Sequence, residues 1–218
     1  MNYFSEEDIR GIVASVIAGV GGAGERGQEV PVEVSARHVH LSRADADILF
    51  GAGYELTRKR DLSQPGQFLC EERVKLVTQK GQIEAVAVLG PLRGETQVEL
   101  SLTDARALGV KAPVRLSGDL REAGDVVIVG PRGVVAAKGS AIVARAHVHM
   151  TPEDASRYGV KDGENVSLRL GGERKVTVHD VAVRVHKNFA LAAHIDYDEA
   201  NAAQVGGGQI KGLLLKSR

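Results

Sequence analysis

The sequence predicts a mainly β fold, built as barrels or sandwiches rather than as a helical bundle. Three features predict it: short Val-rich runs, 26 glycines that interrupt them, and an aromatic content of only 4%. β-Branched residues fit the pleated surface of a strand, and glycine supplies the turns between strands. At 218 residues the chain can bury one large core or two small ones without covalent staples.

The elements follow in order. Residues 1–20, MNYFSEEDIRGIVASVIAGV, place Phe4, Ile9, Ile12, Val13, Val16, Ile17 and Val20 largely on one helical stripe. Ser5 reads as the cap, with Glu6, Glu7 and Asp8 at the positive end of the helix dipole. Such an amphipathic helix either docks on its own domain or in a dimer, or serves as an address that docks on another protein. Its acidic start argues against a secretory signal. Residues 21–30 read as a flexible, glycine-rich linker. Strand-like runs come next: VPVEVSA, VKLVTQ, IEAVAVLG, TQVELSL, DVVIVG, GVVAAKG, AIVARA, NVSLRL and KVTVHDVAVRV. Helical signals are brief. Ser42 with Asp45, and Thr151 with Asp154, read as caps with an acid three residues on, and Pro152 suits a first helical position. Thr103 reads as the cap of a third short helix, DARAL, which Gly109 closes.

Composition narrows the function. Lys and Arg together number 28, as do Asp and Glu, so no overall basic field points to nucleic acid or to a membrane surface. An anionic ligand must be held locally. No apolar run approaches the roughly 18 to 20 residues of a membrane span. The single cysteine, Cys70, cannot form an intramolecular disulfide and fits a reducing, cytoplasmic setting as a small buried thiol.

The chemistry-bearing pattern is a duplicated pair. SARHVHLS carries His38 and His40, and ARAHVHMTPED carries His147 and His149, the second pair 109 residues after the first. Each pair has an apolar strand before it, one apolar residue after it (Leu41, Met150) and then a capped helix start. Alternate side chains of a strand share a face, so both histidines of a pair point one way while Val39 or Val148 points to the core. Two imidazoles so placed suit a metal ion, and the duplication makes metal binding the favoured interpretation. A catalytic zinc keeps about three protein ligands and an open position, so each pair needs a further donor. Glu99 lies off the apolar face formed by Val98, Leu100 and Leu102; it is either a solvated strand residue or a ligand. His194, in LAAHIDYDEANAA, is either a ligand or a satisfied core histidine. His179 and His186, of opposite strand parity and with polar neighbours, read as surface residues.

These motifs resemble the PduL-type phosphotransacylases, or phosphate propanoyltransferases, of bacterial microcompartments. SARHVHLS, QPGQ at 64–67, LGPLRGETQVELS at 89–101, TDARALGV, ARAHVHMTPEDA and HIDYDEANAA correspond in order, over about residues 30–205. The resemblance implies two linked β-barrels with short capping helices, the first from residues 31–46 and 125–218 and the second from 47–124. It implies two zinc ions per chain, one on His38, His40 and Glu99 and one on His147, His149 and His194. It gives Arg93 to phosphate and Ser35, Lys80 and Asn201 to coenzyme A, while Ala87 stands where some relatives carry a basic coenzyme A contact. The implied reaction converts a short-chain acyl-CoA, propionyl-CoA or acetyl-CoA, and phosphate into acyl phosphate and coenzyme A. A homodimer is implied, as is a place inside a microcompartment, with residues 1–20 as an encapsulation peptide for shell or cargo proteins. Two alternatives are a dinuclear zinc thioester hydrolase and a non-catalytic, zinc-stabilised assembly adaptor. The second is disfavoured because closed structural zinc sites usually recruit cysteine, and there is one here.

Overall fold

A computed structural model describes Ser5, Glu7, Ile9, Arg10, residues 27–206 and residues 210–216. The expected helix over 1–20 lies mostly outside the described residues. The expected linker ends earlier than residue 30, because Gln28–Ser35 is strand β1.

The remaining strands, in chain order, are β2 (His38–His40), β3 (Arg58–Asp61), β4 (Phe68–Val77), β5 (Gln82–Gly90), β6 (Gln97–Leu100), β7 (Val114–Arg115), β8 (Gly124–Val129), β9 (Val134–Ala144), β10 (His147–Met150), β11 (Asn165–Leu170), β12 (Val176–Val185), β13 (Ala192–Asp196) and β14 (Ile210–Lys216). Four short helices cap them: α1 (Arg43–Phe50), α2 (Leu102–Leu108), α3 (Pro152–Tyr158) and α4 (Tyr197–Ala203). No helix among the described residues is long and apolar enough to cross a membrane.

The strands close into two barrels. The first runs β1-β13-β10-β12-β11-β14, and β1 returns to β14 with Gln28 opposite Leu214. The second runs β4-β5-β2-β6-β9 and is closed by β8, which bonds both β4 and β9; β3 and β7 extend its margins. The second barrel is therefore an insertion between β1 and β10 of the first.

Its extent differs from the expected division. Residues 38–46 and 125–144 belong with the second barrel, because Val39 pairs with Val88 on one side and Val98 on the other. Val39 also joins the apolar cluster that holds Ala46, Leu49, Val86 and Ile128. β8 and β9 complete the same sheet rather than the first barrel. The first barrel has its own core, in which Val30, Val148, Met150, Leu168 and Ile195 are fully or almost fully buried. Burying such a side chain contributes about 1.5–3 kcal/mol, so each barrel gains enough apolar burial to hold its strands in register.

Caps fix where the helices begin. Ser42 and Thr151 accept from the backbone N–H of Asp45 and Asp154, and Pro152 occupies the first turn. The cap of α2 is Ser101 rather than Thr103: Ser101 Oγ accepts from Asp104 N–H, and the Asp104 carboxylate reaches back to the Ser101 N–H. That exchange satisfies two otherwise orphaned donors, and Thr103 lies inside the helix. Gly109 and Gly159 close α2 and α3 at φ 65° and 63°, a left-handed conformation that suits glycine.

Candidate active site

The duplicated pairs sit on equivalent strands. β2 lies between a parallel neighbour, β5, and an antiparallel one, β6; β10 lies likewise between β12 and β13. The antiparallel neighbour places a third donor directly opposite the first histidine: His38 faces Glu99, and His147 faces His194. Val39 and Val148 are fully buried in their cores, as period-two alternation requires.

Two three-donor clusters result, each with its candidate ligand atoms within 4.8 Å of one another. In the first, His38 Nε2 lies 3.5 Å and His40 Nε2 3.7 Å from the Glu99 carboxylate oxygens. Two ligands on a tetrahedral ion at zinc distances would stand about 3.4 Å apart, so the spacing fits a shared metal. In the second, the His147–His149, His147–His194 and His149–His194 ring centroids are 4.7, 5.0 and 5.0 Å apart. Both nitrogens of His149 and Nε2 of His194 are buried without a hydrogen-bond partner. A neutral imidazole carries one lone pair, and one buried without a donor is costly unless a cation takes it. The two clusters are compatible with two metal ions.

Orientation is duplicated as well. The His38 Nδ1–H donates to the Ala36 carbonyl at 2.7 Å, and the His147 Nδ1–H to the Arg145 carbonyl at 2.9 Å. Each bond fixes the ring and turns Nε2 toward the cluster. Gln97 Nε2 holds Glu99 at 2.6 Å and also donates to Ser117 Oγ at 2.9 Å.

Both clusters open on one cavity of about 460 Å3 whose wall includes Ser35, Ala87, Arg93, Ser117, Arg184 and Phe189. Arg93 leaves the Gly90–Leu92 turn, its backbone N–H donates to the Leu41 carbonyl at 2.9 Å, and its guanidinium donates to Ser117 Oγ at 3.0 Å. Cations converge here on a chain of zero net charge: Arg37, Arg60 and Arg73 also line the cavity.

A family model described as phosphate propanoyltransferase matches residues 31–206. The chain belongs to the phosphate propanoyltransferase family. Curated relatives carrying that name include one from Thermotoga maritima, 52% identical over 180 residues, or 82% of this chain and 86% of the relative. One from Priestia megaterium is 50% identical over 204 residues, 94% of each chain. One from Alkaliphilus metalliredigens is 48% identical over 198 residues, covering 91% and 93%. Membership in the phosphate propanoyltransferase family makes the chain an enzyme, an acyltransferase.

The electrostatics of this acyltransferase suit ligands. Burial opposes protonation of His38, but the Glu99 charge and hydrogen bond outweigh it and raise its pKa. Burial acts first on His40 too and, with the His38 charge, holds its pKa well below the ordinary imidazole value. In the second cluster burial and the neighbouring imidazoles push His149 down to about 2 and His194 to about 3, and His147 is lowered mainly by burial. Although burial opposes ionisation of Glu99, the facing histidines hold its pKa far below the usual carboxylate range. Neutral imidazole and ionised carboxylate are the forms that bind metals.

Of the coenzyme contacts expected from motifs, Ser35 lines the cavity, whereas Lys80 and Asn201 do not. Lys80 is exposed in the β4–β5 turn, with its side chain over Gly109, and Asn201 is exposed on α4. His179 and His186 are surface residues, as expected. Cys70 is fully buried in the second core, and burial pushes its thiol up to about 11. Sequence inspection missed Gln97, Ser117 and Arg184. Gln97 shares strand parity with Glu99, and Arg184 interrupts the apolar run VAVRV; those were the available signals.

Proposed function

We propose that this acyltransferase moves a short-chain acyl group, propionyl or acetyl, from coenzyme A to inorganic phosphate at a dinuclear zinc site. His38, His40 and Glu99 would hold one ion, and His147, His149 and His194 the other. The observation that carries this function is the convergence of both clusters and Arg93 on a single cavity. Bound there, zinc would supply Lewis acidity toward the thioester oxygen and affinity for the departing sulfur.

The chain's own residues account for positioning. Arg93, steadied by Ser117, presents a planar fork that matches phosphate oxygens. Arg37, Arg60 and Arg73 give the cavity wall the positive charge that the polyanionic coenzyme requires. Ser35 meets the coenzyme inside the cavity, while Lys80 and Asn201 are assigned to the portion that stays outside. With Arg93 orienting it, a phosphate oxygen forms a bond to the acyl carbon while the carbon–sulfur bond breaks. The electron pair leaves on sulfur, and the proton of hydrogen phosphate ends on the thiolate. No acyl-enzyme is needed, consistent with a Cys70 thiol that is buried and largely protonated at neutral pH.

Free thiol released from propionyl-CoA, followed with and without phosphate, tests the function. Phosphate-dependent release with formation of acyl phosphate is expected. Phosphate-independent release would instead identify a hydrolase, and no release an assembly adaptor. The same proposal places the enzyme in a cytoplasmic microcompartment as a homodimer, with residues 1–20 as the address to shell or cargo proteins. Deleting residues 1–27 should then abolish co-localisation with shells while specific activity persists; continued co-localisation would remove the address.

A further inference from the structure

Arg184 has no role in the chemistry described so far, yet it projects into the same cavity. It stands on β12 directly beside His149, in the parallel pairing of β10 with β12. Continuing the β2–β5 register from Ala87 and Val88 puts Leu89 at the equivalent place beside His40, and Leu89 also lines the cavity. The repeated strand geometry therefore accepts an aliphatic residue here and does not itself call for arginine.

The titratable side chains lining the cavity with Arg184 are mostly arginines and histidines, with Glu33 and Glu99 as its carboxylates. Its charge depresses the pKa of Arg93, after burial and against Glu99, and also bears on His147, His149 and His194. Among the described residues no carboxylate pairs with it. Its guanidinium lies 5.8 Å from the Phe189 ring centroid, and Phe189 packs on His149 at 4.2 Å. An aromatic platform of this kind steadies a guanidinium while leaving its donors free. Two arginines, one from each barrel, thus face one cavity whose two carboxylates are both engaged elsewhere, Glu99 with His38 and His40 and Glu33 with the Ser63 hydroxyl and, at 3.7 Å, His194 Nδ1.

We propose that Arg184 is a second phosphate-binding residue, which holds the inorganic phosphate, and the phosphoryl group of the acyl phosphate, from the side opposite Arg93. The phosphoryl dianion would relieve the repulsion between the two guanidiniums, and each fork would take separate oxygens. Phosphate would then be oriented from both barrels while its remaining oxygen faces the acyl carbon. The inference rests on the proposed transfer reaction for its catalytic meaning, but phosphate binding itself can be measured apart from turnover.

The test compares wild type, Arg184→Gln and Arg184→Lys as metal-loaded full-length proteins. Calorimetric titration with inorganic phosphate alone should show affinity reduced about 10- to 100-fold in Arg184→Gln, the loss of one charge-assisted contact, and a smaller loss in Arg184→Lys. In turnover the KM for phosphate should rise by a similar factor while that for acyl-CoA stays within about twofold. Metal content and unfolding midpoint should match wild type. Unchanged phosphate affinity in Arg184→Gln would overturn the proposal. So would a selective rise in the KM for acyl-CoA, which would move Arg184 to the coenzyme's phosphates, or loss of metal from Arg184→Gln, which would make it a structural residue. Absence of phosphate-dependent thiol release in wild type would refute the transfer function instead, and the titration would still decide Arg184.

Discussion

Gln64 joins the two barrels, and its removal should selectively loosen the cluster of His147, His149 and His194. Gln64, Pro65, Gly66 and Gln67 form a tight turn: Gln67 N–H donates to the Gln64 carbonyl at 3.1 Å, and Gly66 takes φ 81°, as the third residue of a type II turn does. The turn presents the Gln64 side chain, 4% exposed, to Ala190 of the first barrel. There its Nε2 donates to the Ala190 carbonyl at 2.9 Å and its Oε1 accepts from the Ala190 N–H at 3.2 Å. Gln64→Ala removes both bonds and strands both backbone groups. At about 1 kcal/mol per bond, rising toward 2 where water does not replace the partner, the expected loss is about 2–4 kcal/mol. Because Ala190 follows Phe189, which packs on His149 at 4.2 Å, the effect should extend to the His147 cluster. Chelator competition should show one of the two ions released more readily, while the ion on His38, His40 and Glu99 keeps its affinity. Gln64→Glu should be at least as damaging, since a carboxylate accepts from the Ala190 N–H but opposes its carbonyl. Denaturant unfolding of the loaded protein measures the stability change. A loss under about 0.5 kcal/mol together with unaltered release of both ions would refute the clasp.

Three further outcomes are expected. His38→Ala and His147→Ala should each leave one bound ion by elemental analysis and remove nearly all transfer, with both barrels folded by circular dichroism; two ions retained in both variants would sink the ligand assignment. Arg93→Ala should raise the KM for phosphate about 10- to 100-fold and that for acyl-CoA far less, as loss of one charge-assisted contact predicts; equal rises would refute its role. The metal-free protein should lose about 1 kcal/mol for each of His149 and His194 as the pH falls from 7 to 5.5. Unfolded imidazoles bind protons near pH 6.5, whereas these two, with folded values of about 2 and 3, stay neutral in the fold. Their contribution is therefore present above the unfolded pKa and lost as the pH drops toward the folded one, and stability that stays flat over that interval would contradict the buried, neutral state.

What the sequence conveyed about the site depended on periodicity. His-Val-His is legible because a strand alternates its faces, and its recurrence in one context makes a chance pair implausible. Glu99 and His194 were ambiguous because a ligand set is completed across strands, and which strand lies opposite His38 or His147 is a long-range fact that no local pattern encodes. The barrel boundaries failed for the same reason: β8 and β9 read correctly as strands, but their pairing with β4 and β6 assigns them to the second barrel. Local rules also competed. Ser101 and Thr103 are both plausible caps, and the structure selects the one whose third residue onward, Asp104, can return the hydrogen bond. β3, with the sequence RKRD and every residue exposed, had no alternation to detect. Arg184 is legible only from the tertiary structure, because its place in the site depends on a cavity that residues of both barrels line.

The two clusters are built alike and charged differently, and the difference follows from one residue. His38 and His147 occupy the same place in the repeat, donate to the carbonyl two residues earlier and face a third donor across an antiparallel pair. Their pKa values nonetheless move in opposite directions. Burial works to lower both, but Glu99 faces His38 and reverses the sign, whereas His194 faces His147 and adds no negative charge. A divalent ion on the first cluster would therefore keep one net positive charge, and one on the second would keep two. The arginines follow that asymmetry from both sides, Arg93 within reach of Glu99 and Arg184 beside His149. Glu33, 3.7 Å from His194 Nδ1, is the carboxylate nearest the all-histidine cluster, and it stands beside that cluster rather than within it. One strand pairing used twice, with a carboxylate opposite His38 and an imidazole opposite His147, would thus leave the two clusters with different net charges if each held a divalent ion.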